Sequence, residues 1–322
     1  MKILVVFTGG TISCTQKNVV LSTDENNSYL LLDMYNKLDS SVNFEILKPY
    51  TILSENLCGD YLMMLYNAIK NYDFSQLDGI IVTHGTDTLQ YTSAFLGYAF
   101  SDINLPMVVV SANYPLADRR SNGFKNFCAA VDFIKARQGR GVFAAYQNNN
   151  DMPKIHRATR LLAHSAYSDS LYSIFDMPFG YIENGKFIAN PDYTESESKF
   201  IFDKINISSC NDIVIIKSGI DINYPQLNSN IKAILIEGFH SGTLATALKP
   251  LQNFCEMAKH YEVPIFLTGI CSEFGYASKL IFDELSIVSL PAAAPIAMEI
   301  KLRLLDKQHI RNVLLPCGGD FQ

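Results

Sequence analysis

Short apolar runs and longer amphipathic stretches alternate along the chain. Residues 3–7, 79–83, 107–111 and 142–146 form one set of such runs, and residues 213–217, 233–238, 265–268 and 287–290 form a second. Most lack strict apolar–polar alternation, as strands of a parallel sheet do when both faces are covered. Between them lie amphipathic stretches at 60–72, 87–100, 122–135, 244–260 and 295–307, spaced as helices are. Strand then helix, repeated, predicts β-α-β units and an α/β fold. The polar, turn-rich stretch around Asn190-Pro191-Asp192-Tyr193-Thr194 interrupts this rhythm. It predicts a larger N-terminal domain at 1–184, a linker at 185–211 and a smaller C-terminal domain at 212–322. Each domain is expected to be a mostly parallel sheet with helices on both faces.

Composition narrows the class without naming a function. The chain has 322 residues, of which 48% are apolar and 18% charged, enough for a sizeable core. Net charge is -6, and Arg119-Arg120 is the most basic local spot. That balance argues against a nucleic-acid or membrane partner. The run at 3–7 is too short for a membrane span and reads as a first strand. Seven cysteines are scattered with no C-x-x-C spacing. They fit reduced cytosolic thiols better than disulfides or a zinc site, so a cytoplasmic location is expected. The histidines His84, His156, His260 and His309 show no metal-ligand spacing.

In open parallel sheets, ligands bind beyond the carboxyl ends of the strands. Those positions carry Thr8-Gly9-Gly10-Thr11, then Thr83-His84-Gly85-Thr86-Asp87-Thr88, then Ser111-Ala112-Asn113. Two of the three tips place a threonine directly after glycine. Glycine permits a sharp turn and a close approach to backbone N–H groups. A threonine hydroxyl is a weak nucleophile that needs an activating partner. A purely structural alternative is that Thr86 or Asp87 caps the next helix. The Gly-Gly-Thr turn is not a phosphate loop, since the spaced glycines and following lysine are absent.

Taken together, Gly9-Gly10-Thr11 and His84-Gly85-Thr86-Asp87-Thr88 resemble the two signatures of the bacterial-type L-asparaginase family. Ser54-Glu55-Asn56-Leu57 occupies the place of the family's substrate-clamping segment. The stretch Pro115-Leu116-Ala117-Asp118-Arg119-Arg120-Ser121-Asn122-Gly123 is similar to one in the cytoplasmic, type I branch. The resemblance implies hydrolysis of a side-chain amide to the acid and ammonia, through an acyl-enzyme. It implies that Thr11 is the nucleophile and Thr86 the second catalytic threonine. Asp87 and Glu55 would hold the substrate ammonium. Ser54, with nearby backbone N–H groups, would hold the carboxylate, the glycine-rich turns at Gly10 and Gly85 would supply N–H donors for the oxyanion, and Ala112 belongs to the same substrate-binding set. A zwitterionic substrate needs carboxylates at one end and donors at the other. No metal or organic cofactor is implied, and a homodimer or homotetramer is.

The pattern breaks in four places. The family's lysine falls at Ala163 when Arg157 and Arg160 are matched to its two arginines, and at Arg160 in a looser register. Alanine cannot titrate and arginine stays charged. Arg160, His164 and Lys154 are substitutes of lesser promise, and a structural role is expected of the first two. The loop tyrosine after the nucleophile is replaced by Asn18-Val19-Val20-Leu21, and Tyr29 is expected to start a helix packed by residues 30–32. Asn122 stands where the type I pattern has Asp. Gly238-Phe239-His240-Ser241-Gly242-Thr243 replaces a Gly-x-Gly-Asn segment; His240 or Ser241 could reach a neighbouring subunit's site, but a helix cap by Ser241 or Thr243 is the favoured expectation.

The expected function is therefore an amidohydrolase acting on L-asparagine or a close amide such as glutamine. The alternative is an asparaginase-like protein that binds a small amino acid with little turnover, motivated by Ala163 and the missing tyrosine. A third reading, ammonia release for tRNA-dependent amidation, is set aside because those relatives carry an extra N-terminal region and this chain begins at the first strand.

Overall fold

In the computed structural model, every residue is described except 11, 13, 18, 19, 24, 25, 166, 208–210 and 270–274; residues 14–17, 20–23 and 26–28 are described by backbone alone. Two compact units emerge. One comprises residues 1–194 and 201–207, the other 195–200 and 208–322, counted over the described residues.

The larger unit opens with β1 (Lys2–Phe7), a ribbon of β2 (Cys14–Lys17) and β3 (Val20–Thr23), α1 (Asn26–Leu38) and β4 (Asn43–Leu47). It continues with α2 (Gly59–Lys70), β5 (Gly79–Thr83), α3 (Leu89–Ala99), β6 (Pro106–Val110), α4 (Gly123–Ala136) and β7 (Gly141–Tyr146). Three short strands follow: β8 (Lys154–Arg157), β9 (Gly180–Glu183) and β10 (Lys186–Ala189). The main sheet runs β10-β9-β8-β7-β6-β5-β1-β4. Strands β4, β1, β5, β6 and β7 are parallel, and β8 to β10 are antiparallel additions at one edge. β5, β6 and β7 are buried throughout, which explains why their sequences do not alternate. Helix α4 brings Phe127, Val131 and Ile134 to a core with Val5, Val108, Val110 and Phe143.

The smaller unit holds β11 (Ile213–Lys217), β12 (Ala233–Glu237), α5 (Lys249–His260), β13 (Ile265–Thr268), β14 (Ile287–Ser289) and α6 (Pro295–Leu304). Its four strands lie in sequence order and are all parallel. All eight expected strands are present, and the two-sheet α/β architecture is as expected.

Some local expectations change. The stretch read as a linker contains β10, which belongs to the main sheet, while residues 195–200 and 201–207 join different units. Helix α5 starts at Lys249, with Pro250 in its first turn, so Ser241 and Thr243 do not cap it. They lie in a tight turn closed by Gly242 N–H to the Phe239 carbonyl, 2.7 Å. On α1, Leu31 and Leu32 are buried as expected, whereas Leu30 and Tyr29 are exposed.

Candidate active site

The order β4-β1-β5-β6-β7 creates a switch point. From β1 the chain crosses to one side, to β4; from β5 it crosses to the other, to β6. A crevice opens at the carboxyl ends of two such strands. Here those ends are the two glycine–threonine tips.

The tips are joined by backbone contacts. The Thr8 hydroxyl donates to the Thr83 carbonyl at 2.7 Å, tying the end of β1 to that of β5. Ile52 N–H donates to the Thr8 carbonyl at 3.1 Å, and Gly10 N–H donates to the Ile52 carbonyl at 3.0 Å. Gly10 has φ +74°, a left-handed conformation in which glycine is favoured. A Cβ there would stand 2.6 Å from the His84 carbonyl carbon and overlap the Gly85 backbone. So the residues preceding Thr11 and Thr86 lie against one another, although Thr11 itself is outside the described residues. Gly10→Ala is expected to lower stability by about 2–4 kcal/mol, from overpacking plus left-handed strain. A urea melt showing a loss below about 0.5 kcal/mol would contradict that packing.

Buried His84 holds the second tip. Its Nδ1–H donates to the Gly85 carbonyl and its Nε2 accepts from the Thr92 hydroxyl, both at 2.8 Å. Burial pulls its pKa down to about 4, so the ring is neutral at pH 7. Gly85 leaves room for Ser54, whose Cβ would lie 2.6 Å from a Cβ at position 85. The buried Ser54 hydroxyl donates to Asp87 Oδ2 at 3.0 Å, and the Thr88 hydroxyl donates to the Ser54 carbonyl at 2.8 Å. The helix-cap alternative is not realised: the cap position of α3 is Thr88, with no side-chain cap bond, and Asp87 is engaged with Ser54 instead.

A cleft of about 230 Å³ opens here, lined by Thr86, Asp87, Asn113, Tyr146, His164, Ser165, Ser168 and Asp169. It is smaller than the roughly 300–1,000 Å³ of pockets for drug-sized ligands. Of the expected site residues, Gly10, Ser54, Gly85, Thr86 and Asp87 come together. Glu55 is exposed on the Ser54 turn and does not line the cleft. Ala112 is buried in the core, and its neighbour Asn113 lines the cleft instead. Asn113, Tyr146 and Asp169 were not expected; the places of Asn113 just beyond β6 and of Tyr146 at the end of β7 could have signalled them, while Asp169 had no such signal.

Residues 2–193, more than half of the chain, match the family described as Asparaginase, N-terminal. The chain belongs to the asparaginase family. Among curated relatives, a glutamyl-tRNA(Gln) amidotransferase component of Methanosarcina acetivorans is 28% identical over 281 residues, covering 84% of this chain and 64% of that protein. The L-asparaginase of Thermococcus kodakarensis is 28% identical over 190 residues, covering 57% of this chain and 54% of that one. The matches thus span less than two thirds of those relatives' length. Among solved structures, the thermostable L-asparaginase from Thermococcus kodakarensis superposes with TM-score 0.77 at 21% identity, covering 100% of this chain and 99% of that one. L-asparaginase I from Vibrio cholerae gives 0.76 at 18%, covering 100% and 99%. At those identities the likeness is one of fold.

Against the asparaginase pattern, the departures acquire physical reasons. Arg157 stacks 4.4 Å over Phe143 and donates to the Arg140 carbonyl. Arg160 is buried, donates to the Thr194 carbonyl at 2.8 Å and lies over the Tyr193 ring. Lys154 pairs with Asp151 at 3.0 Å and with Asp176 at 3.6 Å. None of these three lines the cleft, and Ala163 is exposed. Tyr29 lies on α1 with the Lys48 ammonium 4.5 Å from its ring centre. Asn122 exchanges two bonds with Asn113, and its Nδ2 donates to the Gln147 carbonyl at 2.9 Å. A carboxylate cannot make that last bond. Asn122→Asp is therefore expected to destabilise the fold by about 1–3 kcal/mol, as an acceptor would face an acceptor. Equal melting of the two proteins in chemical denaturant would count against it.

Proposed function

We propose that this chain is an asparaginase-type amidohydrolase that hydrolyses L-asparagine, or a close amide such as glutamine, to the acid and ammonia. The packing of Gly10 on Gly85, with Ser54 bonded to Asp87 beside them, carries the reading: three distant segments meet at one switch point. Thr11 attacks the amide carbon. Thr86 handles the proton of the water that later cleaves the acyl-enzyme. Asp87, fixed by Ser54, receives the substrate ammonium; Glu55, outside the cleft lining, has no part in this reading. Backbone N–H groups of the glycine tips receive the carboxylate and the developing oxyanion. The reading carries with it a cytoplasmic homodimer or homotetramer; no described helix is long and apolar enough to cross a membrane.

The test is ammonia release from millimolar L-asparagine and L-glutamine by the purified chain. No release above background from either amide would overturn the reading. Melting-temperature shifts with aspartate or asparagine, without turnover, would instead favour the binding-only alternative.

A second reading has its own support in the relatives named as amidotransferase components. Under it, the chain frees ammonia for amidation of an aminoacyl-tRNA. Hydrolysis of free amide that rises only when an amidotransferase partner and its charged tRNA are added would favour that reading over the first.

A further inference from the structure

The amidohydrolase reading leaves the Thr86 side of the cleft without the family's lysine. The neighbour of Ala163 offers a different group. His164 lines the cleft together with Thr86 and Asp87. It sits in a loop closed at its base, where Leu162 N–H donates to the Tyr172 carbonyl at 2.9 Å and Leu161 bridges to Ser173. Two side chains from the β7 end pin that loop. Asn148 exchanges bonds with the backbone of Leu171, at 2.8 and 3.0 Å. The Tyr146 hydroxyl donates to the Asp169 carbonyl at 2.8 Å, and burial raises its pKa to about 12, so it stays a neutral donor.

The His164 ring packs edge-on against Tyr146, with centroids 5.6 Å apart. Its Nδ1 lies 3.1 Å from the Ser170 carbonyl, which can only accept, so the ring proton belongs on Nδ1. That leaves Nε2 as a lone-pair acceptor. It is closed off from solvent and has no hydrogen-bond partner among the described residues. Burial lowers the His164 pKa below the ordinary 6.5, while the bond to the Ser170 carbonyl and then the charges of Asp169 and Asp87 oppose that shift without reversing it. The imidazole is accordingly neutral, hence basic, at pH 7.

We propose that His164 is the proton acceptor at the Thr86 side of this cleft, in the part that the family pattern gives to a lysine. This rests on the amidohydrolase reading. During acyl-enzyme cleavage, a water proton passes to Thr86 Oγ as the Thr86 proton passes to His164 Nε2. The water oxygen bonds to the acyl carbon, and the carbonyl π pair moves onto its oxygen. Collapse of that adduct breaks the carbon–oxygen bond to Thr11, and the imidazolium proton returns through Thr86 to the Thr11 oxygen. One ester and one water become one acid and one threonine hydroxyl.

The experiment is steady-state ammonia release from asparagine and glutamine between pH 4.5 and 9. It compares the wild type, His164→Gln, and His164→Gln combined with Ala163→Lys. Expected is a fall in kcat of about 10²–10⁴-fold for His164→Gln with KM within about threefold. The wild type should lose kcat/KM on acidification with an inflection below 6.5, and that inflection should be absent from His164→Gln. Adding Ala163→Lys should return part of the activity with the inflection moved to higher pH. A His164→Gln protein that keeps the wild-type kcat and acid inflection overturns the proposal while the amidohydrolase reading stands. So does a wild-type profile with no inflection below 6.5, which decides the matter even if the variants fail to fold. A wild type that releases no ammonia from either amide overturns the reading and the proposal with it.

Discussion

Thr86→Ala is expected to lower ammonia release by at least about a thousandfold while leaving the melting temperature nearly unchanged. The two readouts separate because of where Thr86 sits. It is half-buried and lines the cleft, just after the end of β5. The tip that carries it is held by other groups: His84 on the Gly85 carbonyl, Thr8 on the Thr83 carbonyl and Thr88 on the Ser54 carbonyl. The backbone bond from Leu89 N–H to the Thr86 carbonyl survives the change. Loss of one partly solvated hydroxyl costs at most about 1 kcal/mol of stability. Catalytic threonines that act as one unit, by contrast, are not additive, so Thr11→Ala and the double variant should fall to a similar residual rate. A Thr86→Ala protein that retains a tenth of wild-type kcat would remove Thr86 from the mechanism. An equally inactive but partly unfolded protein would show that the tip depends on Thr86 for its shape.

Asp320→Ala is expected to destabilise the smaller unit by about 3–5 kcal/mol, the usual result of breaking a buried ion pair from one side. Lys301 lies on α6, and neither it nor Asp320 has any exposed side-chain surface. The Lys301 ammonium donates to Asp320 Oδ2 at 2.6 Å and to the Leu315 carbonyl at 2.5 Å, and lies 4.7 Å from the Phe321 ring centre. The other carboxylate oxygen accepts from Cys317 N–H at 2.9 Å. Removing the carboxylate takes one charged acceptor from a fully buried ammonium and frees a turn at 317–320. Removing both charges, as in Lys301→Met with Asp320→Leu, should recover most of the loss, because desolvation of the pair then disappears as well. Denaturant unfolding of the three proteins checks this. A single variant within about 1 kcal/mol of wild type would mean that water reaches the ammonium.

What the chain could announce unaided was whatever depends on neighbours in sequence. Uninterrupted apolar runs such as those at 79–83 and 107–111 can be buried on both faces only as inner strands. The sheet order then puts the Gly-Thr tips at the crevice. The same logic failed where local signals were silent or conflicting. Strands β4, β8, β9 and β10 are short and partly exposed or carry charged residues, so only their partners make them strands. Ser241 and Thr243 had the chemistry of a cap, but Pro250 and the turn at Gly242 moved the helix start to Lys249. The cleft shows the limit most clearly. Ser54 and Asp87 are 33 residues apart, and Tyr146 and Asp169 are 23 apart, yet each pair is hydrogen-bonded. No periodicity records such a meeting, because loop side chains take their places from the strands beneath them rather than from their own sequence. Ser54, Thr86 and Asp87 could be read as a motif in the sequence; that His164 lines the cleft while its neighbour Ala163 does not was decided by tertiary structure alone.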